Sequence, residues 1–262
     1  MMPENYQYTL MLNALRDVQA ELGQIPAPGT ALFPALSDAL DAVGRIPGNA
    51  ILFGIATDGL PLLLHLRDPR PGPVLVTGDR GSGKTAFLKA MLRAASQLNR
   101  PGSVHFAVLT EYPDEWSRFQ AVEHLAGIWP AYEQNTEILL FDLACRAQAR
   151  QDNTPVILLF DGLDSILHMD ETAQNNFRYL LSHGPPASIW PVITVNSNQA
   201  MKLPDWLAYF RTRIYGRITH PATGEELTPI PGAPLKGLFP GFQFCIREKS
   251  RWLQFWLPGM AD

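Results

Sequence analysis

The chain has 262 residues, of which 46% are hydrophobic, so it is long enough for one large domain with a substantial core. Its formal net charge of −4 argues against a general basic coat for nucleic acid, although it leaves room for a local basic loop. Only 18% of the residues are charged, which leaves a relatively apolar surface and favours an interface with another copy or a partner.

The sequence features that report on location favour the cytoplasm. No apolar run approaches the roughly 20 residues of a membrane span, and the first residues lack the basic and apolar regions of a signal peptide. The two cysteines, Cys145 and Cys245, are interpreted as buried free thiols of a reducing compartment. We therefore expect a cytoplasmic protein that does not enter a membrane.

Residues 1–50 are predicted to form a helical appendage or linker ahead of a main domain at residues 51–262. Apolar residues at helical spacing predict a helix over 6–22, and Gly23 is a suitable stop. Several prolines then interrupt the chain, and a second short helix is predicted over 36–43 with Gly44 after it.

The main domain is predicted to open with a β-hairpin. Two apolar runs, at 51–56 and 60–66, flank Thr57, Asp58 and Gly59. An Asp-Gly pair between two such runs is typical of a tight hairpin turn. A proline-rich connector at 68–73 then leads to the next strand.

Residues 78–85 carry the most specific motif. They fit the pattern G-x-x-x-x-G-K-[ST] and are Gly78, Asp79, Arg80, Gly81, Ser82, Gly83, Lys84 and Thr85. A short buried strand at 74–77 precedes them and an amphipathic helix over 85–98 follows. In this setting the glycines let backbone N–H groups point at one anion, and the helix N-terminus adds partial positive charge. Lys84 would reach the β- and γ-phosphates of a nucleotide, and the Thr85 hydroxyl would bind Mg2+.

Beyond the motif, predicted strands and helices alternate. Strands are predicted at 104–109, 156–160, 188–195 and 211–218, and helices after Pro113 and at 133–151, 171–181 and 203–210. Residues 221–240 are predicted to be a loop, and 242–246 with 252–257 a closing hairpin. This alternation predicts an α/β fold in which a mostly parallel sheet is sandwiched by helices.

Four predicted strand ends converge on one candidate site. They carry Gly78, Glu111, Asp161 and Asn196, and ligands of such sheets bind beyond the carboxyl ends of the strands. Asp161 follows five apolar residues, and we predict that it holds Mg2+ opposite Thr85 rather than only capping a helix. Asn196 could orient an attacking water or sense the γ-phosphate, and its alternative role is that of a turn residue.

The chain resembles the FtsK/HerA-type ATPases over about residues 51–258. The hairpin with Gly54 and Gly59 stands just ahead of the phosphate-binding motif, as in that family. The family's P-T-R-I strand is similar to Phe210, Arg211, Thr212, Arg213 and Ile214. Residues 189–196 are similar to its strand with a polar sensor at the end, and residues 235–257 to the end of its core.

This resemblance implies a RecA-like P-loop NTPase core with strand order 5-1-4-3-2 and with ATP and Mg2+ as cofactors. It also implies a homo-oligomer, often a hexameric ring, in which ATP hydrolysis moves double-stranded DNA or remodels a protein partner. The alternative function is a nucleotide-binding switch or scaffold protein with little or no hydrolysis.

Hydrolysis needs a group that positions and deprotonates water. Gly162 follows Asp161 at the place where many such ATPases carry a catalytic glutamate. Glu111, at the tip of another strand, is the first candidate for that role, and Asp164 is the second. The alternative interpretation of Glu111 is a solvated loop carboxylate, which would leave hydrolysis slow or absent.

Overall fold

The computed structural model describes residues 50–149, 154–228, 230–248 and 251–258. The predicted helices at 6–22 and 36–43 lie outside these residues, as does the rest of the predicted appendage up to residue 49. The predicted main domain is described from its first strand, which begins at Ala50.

Ten strands of the described chain form one sheet. They are β1 (Ala50–Ala56), β2 (Pro61–His65), β3 (Val74–Gly78), β4 (His105–Thr110), β5 (Leu125–Pro130), β6 (Val156–Asp161), β7 (Ile189–Asn196), β8 (Thr212–Tyr215), β9 (Gln243–Glu248) and β10 (Arg251–Trp256). Their order across the sheet is β2-β1-β10-β9-β8-β3-β7-β6-β4-β5. Strands β3 to β8 pair in parallel, and the hairpins β1–β2 and β9–β10 continue the sheet beyond β8.

The sheet is mostly parallel, as predicted, and the run β8-β3-β7-β6-β4 has the predicted order 5-1-4-3-2 when β3 is counted as strand 1. The complete strand order differs from the prediction because further strands join both edges. An additional strand, β5, pairs with β4 at one edge, and both hairpins join the same sheet at the other. The residues of β5 do not have the sequence pattern of a strand, because Gly127 interrupts it and Pro130 ends it. An edge strand tolerates such residues, since only one of its sides needs a complete hydrogen-bond ladder.

Helices cover both faces of the sheet. The α-helices are α1 (Lys84–Leu98), α2 (Gln134–Ala149), α3 (Glu171–His183), α4 (Ser197–Ala200), α5 (Pro204–Leu207) and α6 (Pro221–Leu227). Short 3-10 helices occupy Pro113–Phe119, Leu163–His168, Pro185–Ala187 and Leu235–Gly237. Helix α6 lies in the segment that was predicted to be a loop, and Pro221 occupies its first turn, where proline is tolerated.

Successive side chains of the central strands point to opposite faces of the sheet, so the core is divided into a cluster on each face. In β6, Leu158 and Phe160 belong to the cluster that includes side chains of α2 and α3. Their neighbours Ile157 and Leu159 belong to the cluster that includes side chains of α1. Because both faces are covered, loops and ligands meet at the carboxyl ends of the parallel strands.

Two sequence predictions concern buried thiols and membrane helices. Cys245 is buried in β9, as predicted, and burial raises the pKa of its thiol to about 12. Cys145 is exposed instead, because it falls beside the buried stripe of α2 formed by Leu140, Ala144 and Ala147. No helix in the described part of the chain is both long and apolar enough to cross a membrane.

Candidate functional site

The loop between β3 and α1 curls tightly because two of its glycines have left-handed backbone conformations. Gly81 has a φ of 79° and Gly83 a φ of 97°, values that residues with a side chain rarely adopt. Gly83 is also closely packed, since a Cβ atom there would lie 2.5 Å from the Cα of Gly241. The N–H of Gly241 donates to the carbonyl of Ser82 at 3.0 Å, so the segment before β9 supports the curl.

Lys84 points back into this curl. Its Nζ donates to the carbonyl oxygens of Gly78 at 3.0 Å and Asp79 at 2.8 Å. Burial lowers the pKa of this ammonium group to about 8, while the charges of Asp161, Asp79 and Asp164 act in the opposite direction. A half-buried cation whose hydrogen-bond partners are neutral carbonyls is well placed to attract an anion.

The first turn of α1 is also suited to an anion. Gly83 is its N-cap residue, no side chain caps the helix, and the first turn contains no acidic residue. The first N–H groups of any helix lack partners within the helix and carry partial positive charge. A phosphate group above this turn would therefore be bound by backbone N–H groups and by the helix dipole.

The Asp79 side chain anchors the loop through hydrogen bonds that the sequence did not predict. Its Oδ1 accepts from the Ser197 hydroxyl at 2.6 Å, and its Oδ2 accepts from the N–H and hydroxyl of Thr219 at 2.8 and 2.7 Å. Burial opposes ionisation of this carboxyl, but the three hydrogen bonds outweigh it and lower the pKa. The side chain thus ties the loop to α4 and to the segment after β8, where the backbone N–H of Asp79 also donates to the carbonyl of Arg217 at 2.8 Å.

The remaining predicted loop residues divide between solvent and core. Arg80 and Gly81 are exposed, so the Arg80 guanidinium can approach a ligand from solvent. Ser82 is buried, and its hydroxyl lies close to two glycines. A Cβ atom added to Gly78 would lie 2.5 Å from the Ser82 hydroxyl oxygen, and one added to Gly216 would lie 3.0 Å from it. Ser82 therefore shapes the inside of the loop rather than its open side.

Thr85 and Asp161 meet beside the curl. The Thr85 side chain hydrogen-bonds Asp161, and the Thr194 hydroxyl donates to Asp161 Oδ1 at 2.7 Å. Burial raises the pKa of the Asp161 carboxyl, and the hydrogen bonds from Thr194 and Thr85 counteract it. A hydroxyl and a carboxylate are hard oxygen ligands of the kind that Mg2+ takes alongside phosphate oxygens and water, so these residues fit the ion.

The contact of Thr194 with Asp161 was not predicted from the sequence. It occupies a buried position in β7, next to Asp161 of β6 in the strand register. The signal in the sequence is a single hydroxyl residue among apolar neighbours two positions before the strand ends. Such a residue is common in strands, and its role becomes visible only once β6 and β7 are known to be adjacent.

The strand register places Asn196 and Glu111 at the same end of the sheet. Asn196 ends β7 directly opposite Gly78, is half-buried, and is the N-cap residue of α4. Glu111 follows Thr110, the residue of β4 that pairs with Asp161, and its side chain is exposed. The structure therefore brings Gly78, Asp161 and Asn196 together and leaves Glu111 on the solvent side.

The residue after Asp161 has a backbone that disfavours any side chain. Gly162 has a φ of 114°, at which a glutamate would be strained. Asp164, the second candidate for activating water, is half-buried and close enough to Lys84 to favour its charged form. The usual position of a catalytic glutamate thus differs here in backbone shape as well as in residue type.

Comparison with known proteins supports the fold. No family model matches the sequence, and no curated protein does. ATPases 2 and 3 of EssC from Geobacillus thermodenitrificans are 15% identical and superpose with a TM-score of 0.66 over 91% of this chain and 49% of that chain. ATPases 2 and 3 of EccC from Thermomonospora curvata, solved with a signal sequence peptide, are 15% identical, with a TM-score of 0.64 over 91% and 43% of the two chains. A further structure, described as an ATPase, is 12% identical and superposes with a TM-score of 0.66 over 90% of this chain and 97% of that chain.

At these identities the likeness establishes the fold. The chain has the fold of these ATPase domains, which agrees with the resemblance of its sequence to the FtsK/HerA-type ATPases. It spans 49% of the EssC chain and 43% of the EccC chain, so it corresponds to part of those proteins.

Proposed function

We propose that this chain binds ATP and Mg2+ at the loop between β3 and α1 and hydrolyses the nucleotide. The observation that carries the proposal is the position of Lys84, whose Nζ lies inside the curl at 3.0 and 2.8 Å from two loop carbonyls. Thr85 and Asp161 hydrogen-bond each other beside it. A cation, a helix N-terminus and a pair of oxygen ligands in one place match a triphosphate with its divalent ion.

Each group has its own task in this complex. The N–H groups of the curl and of α1 bind the phosphates from below. Lys84 exchanges a carbonyl partner for a phosphate oxygen, which gives its buried charge an anionic partner. Thr85 and Asp161 would hold the Mg2+ ion, which neutralises charge on the β- and γ-phosphates, and Thr194 fixes the carboxylate for this purpose.

The proposed work of the ATPase is movement of double-stranded DNA or remodelling of a protein partner by a cytoplasmic homo-oligomer, such as a hexameric ring. A neighbour in fold is a type VII secretion ATPase, and one such structure holds a signal sequence peptide, which supports a protein partner. Large exposed apolar side chains support an interface between copies. They include Ile138, Phe141, Phe239 and Phe242.

The second candidate function is a nucleotide-dependent switch that hydrolyses little ATP. The observation that favours it is Gly162, whose left-handed backbone stands where a catalytic glutamate would be expected. Glu111, the proposed substitute, is exposed at the tip of β4. Both candidates use the same binding site and differ in turnover.

Equilibrium titration with a fluorescent ATP analogue and Mg2+ tests the binding site. We expect saturable binding by the wild-type chain and binding that is about 100-fold weaker in Lys84→Ala, because one charged hydrogen-bond donor is lost. Lys202→Ala, which removes an exposed lysine, is the matched control and should bind like the wild type. Absence of saturation, or equal binding by Lys84→Ala, would refute the proposal.

Phosphate release distinguishes the two candidates. It is measured with and without duplex DNA, beside the mass of the protein in solution with nucleotide. Turnover by an oligomer supports the ATPase, and stimulation by DNA supports translocation in particular. Saturable binding without phosphate release supports the switch.

A further inference from the structure

Strands β8 and β9 pair over a short distance and then separate. Their ladder consists of Ile214 opposite Ile246 and Tyr215 opposite Cys245. One step further, an antiparallel ladder would place Arg213 opposite Arg247, and like charges directly across from each other destabilise such a pair. A cavity of about 570 Å³ lies at this separation and is lined by residues of both strands and of β10.

The cavity concentrates positive charge. Arg211, Arg213 and Arg247 line it, and no acidic residue does. Within the described part of the chain, the ion pairs join Arg70 to Asp68 and Lys89 to Glu115. In that part of the chain, the three arginines of the cavity therefore form no ion pair with a carboxylate.

Arg213 is held in a fixed orientation at the half-buried side of the cavity. Its Nε donates to the carbonyl of Phe210 at 3.3 Å, and one terminal nitrogen donates to the carbonyl of Leu207 at 2.8 Å. It also hydrogen-bonds Tyr215, whose pKa is raised by burial and lowered in part by this guanidinium. A guanidinium has five N–H donors, so donors remain for a ligand after these contacts.

An aromatic surface lies beside the charges. Trp252 of β10 pairs with Arg247 of β9, lines the cavity and is half-buried. Its ring meets that of Tyr215 edge-on, with centroids 5.7 Å apart and an interplanar angle of 75°. A half-buried indole that lines a cavity beside guanidinium groups favours a planar ring that carries negative charge.

We propose that this cavity binds a small phosphate ester with a planar ring, the chemistry of a mononucleotide. Arginine forks match the oxygens of a phosphate group, and the cavity volume lies within the range of small-molecule sites. The cavity is separate from the phosphate-binding loop: Thr212 pairs with Val74 at the amino end of β3, whereas the loop follows the carboxyl end at Gly78.

Calorimetric titration of AMP into the full chain carrying Lys84→Ala tests this proposal. AMP lacks the β- and γ-phosphates that the loop would hold, and the substitution disables that loop further, so binding reports on the second cavity even if the loop binds no ATP. We expect saturable binding that weakens as salt is added. Adding Arg247→Gln should weaken AMP binding about tenfold, because one charged hydrogen-bond donor is lost.

Arg251→Gln is the matched control, since it makes the same charge change in the same hairpin without lining the cavity. It should leave AMP affinity unchanged. Trp252→Phe should weaken AMP binding and leave the affinity for inorganic pyrophosphate unchanged. The proposal fails if AMP does not saturate the protein, or if Arg251→Gln weakens binding as much as Arg247→Gln. It also fails if a single-stranded oligonucleotide binds through Arg247 while AMP does not.

Discussion

The binding half and the hydrolytic half of the candidate site are built differently. In the binding half, Lys84 is hydrogen-bonded to loop carbonyls, Asp161 is held by Thr194, and Asp79 is anchored by three hydrogen bonds. In the hydrolytic half, Glu111 is exposed and Gly162 offers no side chain. The fold fixes the groups that would hold a nucleotide much more firmly than the groups that would activate water.

This difference has a functional consequence. Preorganised groups bind without loss of side-chain freedom, whereas an exposed carboxylate must first be ordered at the γ-phosphate. We therefore expect the isolated chain to bind ATP well and to turn it over slowly.

The largest expected effect belongs to the hydrolytic half. Glu111→Gln should lower the rate of phosphate release at least about 100-fold, because an amide cannot accept a proton from water, and should leave ATP affinity unchanged. Glu133→Gln, at an exposed glutamate just after β5, is the control and should retain wild-type turnover. Wild-type turnover in Glu111→Gln together with its loss in Asp164→Asn would transfer the role to Asp164.

The next effect concerns Mg2+. Asp161→Asn should weaken Mg·ATP binding about 30-fold, because a carboxylate ligand of the ion is lost. Binding of ATP in the presence of EDTA should stay the same, which distinguishes loss of the ion from loss of the fold. Asp205→Asn, at an exposed position, should behave like the wild type in both buffers. Equal weakening with and without Mg2+ would contradict the assignment of Asp161.

Substitution of two loop glycines tests whether the contact with Gly241 supports the curl. Gly83→Ala combines a left-handed φ with a Cβ atom 2.5 Å from Gly241, so we expect it to lower the free energy of unfolding by about 3 kcal/mol. Gly81 has a similar φ, but a Cβ atom there would have no atom within 4 Å. We therefore expect Gly81→Ala to lower the free energy of unfolding by about 1 kcal/mol. Denaturant unfolding measures both. Equal losses would mean that Gly241 does not support the loop.

The smallest effect is a pH dependence. The pKa of Lys84 is about 8 without a ligand, and a phosphate partner would raise it again. ATP affinity should therefore be level below pH 8 and fall up to about tenfold per pH unit above it, with proton uptake on binding. Calorimetry at pH 8.5 in two buffers of different ionisation enthalpy measures that uptake. Binding without proton uptake would show that Lys84 is already fully charged.

The sequence was sufficient to predict the parts of the site that depend on local pattern. The strand, curl and helix around Lys84 follow from glycine spacing and helical periodicity, and Asp161 follows from the apolar run before it. Thr194 and the bracing of Asp79 by Thr219 depend on contacts between distant segments. No local pattern in a single sequence encodes such contacts, so they became visible only in the structure.

The errors in the predicted fold have similar causes. Strand β5 contains Gly127 and ends at Pro130, and it is stable because β4 supplies its partner. Helix α6 begins at Pro221 inside a Pro- and Gly-rich stretch, and its Leu227 is buried in the core. In both cases tertiary packing outweighs a weak local preference.

A crystal structure of the chain with a non-hydrolysable ATP analogue and Mg2+ tests the central claim most directly. We predict that the triphosphate lies in the curl of residues 78–85, with Lys84 Nζ on a phosphate oxygen and the ion between the Thr85 hydroxyl and Asp161. An analogue bound elsewhere, or an empty curl at saturating nucleotide, would contradict the account.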